Sequence, residues 1–213
     1  MSPSLFLVFS ATPYRMGRAI RVVTHSEYNH VSLALSAQGP LYSFARKHCN
    51  APFFGGFVKE SPLRYRNRDR NARILVCRIP VTEEQYEAVK IRLAAIEAEE
   101  ARYVYNLFSA AAAPVHRRVP LPRSYTCVEF VVSLLAEGHV LSEDELSRFW
   151  SVDELAERFA SCTAYQGTFP KLEEAQWQDD SFPVKSGRVA AVLLTGFVVG
   201  QLTYRLLKKY KNT

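Results

Sequence analysis

Two residues in this chain have the types and surroundings that nucleophilic chemistry requires. Cys127 follows the loop-like segment Pro122-Arg123-Ser124-Tyr125-Thr126 and opens the apolar run Val128 to Leu135. The pattern predicts a helix with the sulfur at its N-terminus, where unpaired backbone N–H groups and the macrodipole favour the thiolate. The same N–H groups suit an oxyanion developing on a substrate carbonyl. A cysteine nucleophile also needs a base within hydrogen-bond reach. His30, which follows Ser26-Glu27-Tyr28-Asn29 at the start of a strand, is the best candidate. Ser43, inside Leu41-Tyr42-Ser43-Phe44, lies on the neighbouring strand, where a hairpin lets it face His30 and hold one ring nitrogen. Each residue also has a plainer role, since a cysteine opening a helix is often a small buried hydrophobe and a strand histidine is often structural. Tyr28 and Tyr125 stand near the pair; either phenol can donate to an oxyanion or simply pack at the sheet rim.

The elements that must position these residues follow from patterning. Leu5 to Phe9 reads as a buried strand. A helix over Ala11 to Val23 follows, with Thr12 as a cap and Pro13 in its first turn, and with Arg15, Arg18 and Arg21 on one face. Asn29 to Leu35 alternates as a half-buried strand and pairs with Leu41 to Ala45 across the turn at Ala37 to Pro40. Ile74 to Ile79 is a further strand, closed by Pro80. Thr82-Glu83-Glu84-Gln85 is a capping box that opens a helix with the core stripe Tyr86, Val89, Leu93 and Ile96. Ala110 to Arg123, rich in Ala and Pro, reads as a loop. Cys127 to Ala136 is a helix with Gly138 at its C-cap, and two more helices start alike at Ser142 and Ser151. Lys171 to Lys185 is polar and extended. The predicted fold class is α+β, an antiparallel sheet packed against helices, with a domain over 1–180 and a hydrophobic helix over 186–211.

Composition narrows the function classes. At 213 residues, 48% hydrophobic and 23% charged, the chain has globular composition, which excludes disorder and fibrous repeats. The net charge of +6 is concentrated: Arg64 to Arg73 contributes +4 and the tail from Lys185 contributes +6, so the remainder is negative. That distribution argues against a whole-surface nucleic-acid binder, although the Arg64 to Arg70 stretch has the basic-aromatic mix of an RNA contact or of a guarded sheet edge. The four cysteines form no Cys-x-x-Cys pair, which excludes a zinc knuckle or a thioredoxin motif. There is no phosphate loop, Gly-x-Ser-x-Gly elbow or His-Glu-x-x-His motif. No metal and no cofactor are implied. The N-terminal apolar run is too short for a signal peptide, so a cytoplasmic start is expected. Val189 to Tyr204 carries no charge, contains Gly196-x-x-x-Gly200 and precedes a basic end. It reads either as a docked terminal helix or as a membrane anchor or interfacial helix.

The segments Tyr28-Asn29-His30-Val31-Ser32-Leu33-Ala34-Leu35 and Tyr125-Thr126-Cys127-Val128-Glu129-Phe130-Val131 resemble the circularly permuted branch of the NlpC-type, papain-like cysteine hydrolases. In that branch the histidine precedes the cysteine, as here. The branch includes lecithin–retinol acyltransferase-like lipid enzymes, which often carry a C-terminal hydrophobic anchor. The resemblance covers roughly 5–135. It implies Cys127 as nucleophile, His30 as general base and Ser43 in the third, orienting position. Relatives usually place Glu, Asp or a second His there, and a serine cannot stabilise an imidazolium by charge. Either a weaker triad with Ser43 works, or Glu60 or Glu129 supplies the charge, or catalysis is lost. The expected activity is cleavage of an amide (peptide-like) or ester bond through a cysteine acyl-enzyme. The alternatives are a membrane-associated acyltransferase or phospholipase and a catalytically inactive binding module.

Overall fold

The apolar run at 5–9 lies within β1 (Ser4–Ala11), an inner strand on which Leu5, Leu7 and Phe9 are fully buried. The computed structural model describes residues 2–48, 50–60, 62–67, 70–169 and 185–211. After β1 come α1 (Arg15–Thr24), β2 (His30–Ala34), β3 (Leu41–Arg46) and β4 (Gly55–Glu60). The short pair β5 (Arg66–Asn67) and β6 (Arg70–Asn71) leads into β7 (Arg73–Pro80) and α2 (Glu83–Ala98). Then follow β8 (Val104–Tyr105), α3 (Leu107–Ala112), β9 (Ser124–Tyr125) and α4 (Cys127–Glu137). The remaining elements are α5 (Glu143–Ser147), α6 (Val152–Arg158), β10 (Thr163–Thr168) and α7 (Arg188–Lys211). Six strands form one antiparallel sheet in the order β10-β7-β1-β2-β3-β4, and β8 pairs in parallel with β9. The molecule is α+β, with the sheet packed against helices and an apolar helix at its C-terminal end.

Capping chemistry sets the helices that cover the sheet. Thr82 and Gln85 exchange side-chain and backbone hydrogen bonds, with Glu83 and Glu84 in the positive first turn of α2. Val89, Leu93 and Ile96 then face the core, and Tyr86 donates its hydroxyl to Leu35 O at 3.0 Å. Thr126 and Glu129 make the same reciprocal cap on α4, which buries Phe130, Val131, Leu134 and Leu135 completely. Full burial of a side chain such as Phe130 stabilises by roughly 1.5–3 kcal/mol. This α4 layer lies on α2, β2 and β3, so the first residue of α4 is brought to the sheet that carries His30.

Several sequence expectations are corrected by tertiary pairing. β2 is not half-buried: Ser32 and Ala34 are buried as well, because Tyr65, Ala72 and Phe169 cover the second face, with the Tyr65 and Phe169 rings stacked at 4.3 Å. α1 begins at Arg15 rather than Ala11, since Ala11 continues the ladder opposite Arg73. Thr12 does not cap it; its hydroxyl accepts from Asn29 Nδ2 at 2.8 Å. Close packing follows, for a Cβ at Gly17 would lie 2.2 Å from Thr12 Oγ1. Arg21 donates to Thr12 O at 3.1 Å and to Asn29 Oδ1. The predicted loop 110–123 contains the end of α3, which starts at Leu107 behind the cap Asn106, whose side-chain oxygen accepts from the Ser109 N–H at 3.1 Å. Arg64 is buried and donates to Arg46 O at 2.7 Å, so the basic stretch does not act as one exposed surface. Cys49, Arg68, Asp69 and 171–184 of the expected extended stretch lie outside the described residues.

The terminal helix α7 is long and apolar enough to cross a membrane. It touches the rest of the molecule through a narrow seam, where Val198 and Leu202 are buried with Val104 and Leu121. Arg205 points inward instead of extending along the helix. Its guanidinium donates to Arg102 O at 3.0 Å, Pro122 O at 3.1 Å, Arg123 O at 2.8 Å and Ser124 Oγ at 2.7 Å. Val192, Leu193, Phe197 and Leu207 remain more than half exposed on the other side.

Candidate active site

Strand register places the acid beside the base. β3 separates β2 from β4, with Ser43 opposite Val58 and Leu41 opposite Glu60. Across that strand His30 Nε2 and Glu60 Oε1 meet at 2.6 Å, with the His30 side chain 12% exposed and that of Glu60 fully buried. Glu60 Oε2 accepts from the hydroxyls of Ser32 and Tyr65. Burial alone would favour neutral forms of both groups. Their attraction and hydrogen bond prevail. His30 is raised to about 10 against its burial, first by the Glu60 charge and also by hydrogen bonds to Cys127 and Glu60. Glu60 is held at about 2 against its burial by the His30 charge and hydrogen bond, the Arg64 charge and the Ser32 hydroxyl.

Cys127 is the first residue of α4 and is buried. Its thiol is near enough to the His30 ring to contribute, after Glu60, to the raised pKa of the imidazole. The Thr126–Glu129 cap occupies the Glu129 N–H at 3.2 Å, while the Cys127 and Val128 N–H groups, in the first turn, have no intrahelical acceptor. A sulfur, an imidazole and a carboxylate therefore stand in sequence, with two helix-tip donors beside the sulfur. This arrangement can attack a carbonyl carbon and stabilise the resulting oxyanion.

No family model, curated protein or solved structure matches this chain.

The orienting position is where sequence reasoning goes astray. Ser43 does not touch the ring; its buried hydroxyl donates to Val31 O at 2.8 Å and braces β2 against β3. Side chains in a strand alternate, and the β2–β3 register turns Ser43 toward backbone while β4 supplies Glu60. Glu129 is not on the ring either. Its oxygens accept from the Thr126 N–H at 2.8 Å and from Ser109 Oγ at 2.7 Å, so it serves the helix cap. Ser43→Ala is accordingly expected to lower stability by about 1 kcal/mol while leaving the alkylation rate of Cys127 unchanged; denaturant unfolding and mass-spectrometric labelling read the two effects.

The tyrosines divide similarly. Tyr125 stacks on Tyr103 at 6.2 Å and meets Phe44 edge-on at 5.3 Å, which makes it a packing residue behind the site. Tyr28 lines the cleft above Cys127, where Gln166 Nε2 donates to its hydroxyl at 3.4 Å. Tyr105 lines the same cleft. Its phenol is driven up by burial and then by the charges of Cys127 and Glu129, so it keeps its proton beside the sulfur and can donate. The spacing Tyr103-x-Tyr105 is a weak signal for it, because residues two apart on an extended segment face the same side.

The cleft has a volume of about 560 Å³. α1 supplies Met16, Ile20 and Val23, and Val132 of α4 and Trp150 also line it, so its lining is largely apolar around Cys127. Among the described residues no cluster of His, Cys, Asp and Glu has metal-binding form. Cys77 is buried and pushed up to about 11 by that burial, and Cys162 is half-buried in the helical turn Ala160–Cys162, which packs near β7.

Proposed function

We propose that this protein is a thiol hydrolase of permuted papain-like architecture, with Cys127 as nucleophile, His30 as general acid and base, and Glu60 orienting and charge-stabilising the ring. The observation that carries this reading is the His30 ring held at 2.6 Å by the fully buried Glu60 carboxylate, with the Cys127 thiol at the tip of α4 among the groups that act on the same ring. With the thiol proton passed to His30, sulfur attacks the carbonyl carbon of an amide or ester and the new C–S bond forms. The oxyanion is held by the first N–H groups of α4, with Tyr105 or Tyr28 as side-chain donor. Collapse breaks the bond to the leaving group, which takes the proton from His30. Neutral His30 then deprotonates water, which cleaves the acyl-enzyme and restores the pair. The substrate is a small peptide-like or acyl compound, and the chemistry needs no metal or cofactor.

Iodoacetamide labelling near neutral pH tests this. Cys127 should react at least about ten-fold faster than buried Cys77, and His30→Ala should remove the advantage. Equal rates for the two cysteines, or an unchanged rate in the variant, would end the hydrolase reading.

The apolar outer face of α7 favours a second element of this reading, association with a membrane surface as in a lipid acyltransferase or phospholipase. Exposed Val192, Leu193 and Phe197, with Lys208, Lys209 and Lys211 at the helix end, form the apolar face and basic collar of an interfacial helix. Flotation with vesicles containing phosphatidylserine should carry the full chain upward. Changing Val192, Leu193 and Phe197 to Ser should leave it at the bottom; equal flotation of both proteins would reject the role of this face.

A further inference from the structure

The cleft over Cys127 is lined by residues of two kinds. Along α1 it is apolar, with Met16, Ile20 and Val23 in the lining. The segments 116–118 and 148–150 bring Arg117, Arg118 and Arg148 to the same cleft. Contacts hold these segments together. The His116 and Phe149 rings lie 5.4 Å apart, Arg118 Nη1 donates to Leu146 O, and the Arg148 guanidinium sits 3.7 Å above the Trp150 ring.

The acids nearby are engaged elsewhere. Glu129 accepts from Thr126 N–H and Ser109 Oγ, Glu154 from the Ser151 N–H at 2.7 Å, and Asp153 from the N–H groups of Glu27 and Tyr28 at 2.7 and 3.0 Å. Glu129, which with Asp153 also lines the cleft, and Glu154 form ion pairs with Arg118 and Arg148 at 3.9 Å, outside hydrogen-bond range. Arg118 Nε is buried with no hydrogen-bond partner. A buried, unfilled guanidinium donor is costly unless something occupies it, and its planar fork matches a carboxylate or phosphate.

We propose that the cleft arginines form an anion subsite, so that the cleft takes an amphiphile whose apolar part lies along α1 and whose carboxylate or phosphate is held by Arg117, Arg118 and Arg148. The inference rests on the cleft being the substrate site of Cys127. An apolar lining with a few convergent charged donors is the usual composition of a small-ligand site, and partial exclusion of water strengthens each charged contact. Carboxylate and phosphate share the recognition chemistry, and the test separates them.

Binding can be read without turnover. In a Cys127→Ala, Trp177→Phe background, Trp150 is the remaining tryptophan, and its fluorescence reports occupancy of the cleft. Octyl phosphate, octanoate, octyl glucoside and inorganic phosphate are titrated at constant ionic strength. At least one anionic amphiphile should bind about ten-fold more tightly than octyl glucoside, equivalent to about 1.4 kcal/mol. Inorganic phosphate should bind at least about ten-fold more weakly than octyl phosphate. Arg117→Gln with Arg148→Gln should reduce the anionic ligands to the level of octyl glucoside, whose own binding persists and shows the cleft intact. Equal binding of neutral and anionic amphiphiles, or a preference that survives the double change, would overturn the subsite. Inorganic phosphate matching octyl phosphate would overturn the amphiphile. None of these outcomes depends on hydrolysis, which the labelling of Cys127 tests separately.

Discussion

Glu60→Gln is expected to slow alkylation of Cys127 at pH 7 by about 10²–10⁴-fold, the range seen when an orienting carboxylate behind a catalytic histidine is neutralised. The variant keeps the shape of the side chain but loses the charge that holds the His30 imidazolium in a buried position. Stability should report the same loss through its pH dependence. In the wild type the Glu60 contribution is present above its unfolded value of 4.5 and is lost as pH falls through about 2. The His30 contribution is complete below its unfolded value of 6.5 and is lost as pH rises through about 10. The part of the melting temperature owed to this pair therefore peaks between 4.5 and 6.5 and declines on both sides. Without the carboxylate, burial dominates and favours neutral imidazole. The alkaline decline then disappears, and stability instead falls on acidification as a buried histidine is forced to accept a proton. A variant that labels at the wild-type rate and keeps the alkaline decline would show that Glu60 does not govern the ring.

Cys127→Ala is expected to lower turnover of any ester or amide the wild type hydrolyses by about 10⁵–10⁶-fold, since removal of a nucleophile removes the covalent path and not merely a contact. Rapid quenching of the wild type should yield an adduct whose mass equals the acyl part of the substrate, located by peptide mapping at Cys127. The conservative change Cys127→Ser keeps the helix tip and the cap but replaces a good nucleophile with an alcohol of much higher ordinary pKa, and should also be inactive. Substitution of Cys77 or Cys162 should leave both adduct and rate unchanged. Hydrolysis persisting within ten-fold in Cys127→Ala would place the chemistry elsewhere.

The features legible in the sequence are those written in local chemistry. Thr82 with Gln85 marks the start of α2, the apolar run after Cys127 marks α4, and Leu5 to Phe9 marks the inner strand. Cys127 and His30 could be proposed because each sits at the end of such an element. Glu60 could be offered only as one option among three, because its strand has no alternating signature. β4 reads Gly-Gly-Phe-Val-Lys-Glu, and the glycines answer to a distant segment: a Cβ at Gly56 would lie 2.8 Å from Tyr103 O. Ser43 seemed better placed because it is nearer along the chain, yet the β3–β4 register, a nonlocal fact, decides which side chain reaches the ring. The burial of Ser32 is nonlocal in the same way. It depends on Tyr65 and Phe169 folding over the far face of the sheet, more than thirty and more than a hundred residues away.

The inward-turned Arg205 means that the last helix is not a detachable module. Its guanidinium ties down the carbonyls of Arg102, Pro122 and Arg123, whose segments lead directly into Tyr105 and Cys127. Arg123 itself has a left-handed backbone, with φ of 52°, which a β-carbon tolerates poorly. A shortened version of the chain made for solubility would strip that strained turn of its clamp and uncover Val104 and Leu121 together. Loss of activity in such a version would then report a collapsed doorstep to the nucleophile rather than separation from lipid, and only substitutions on the outward side of the helix keep the two effects apart.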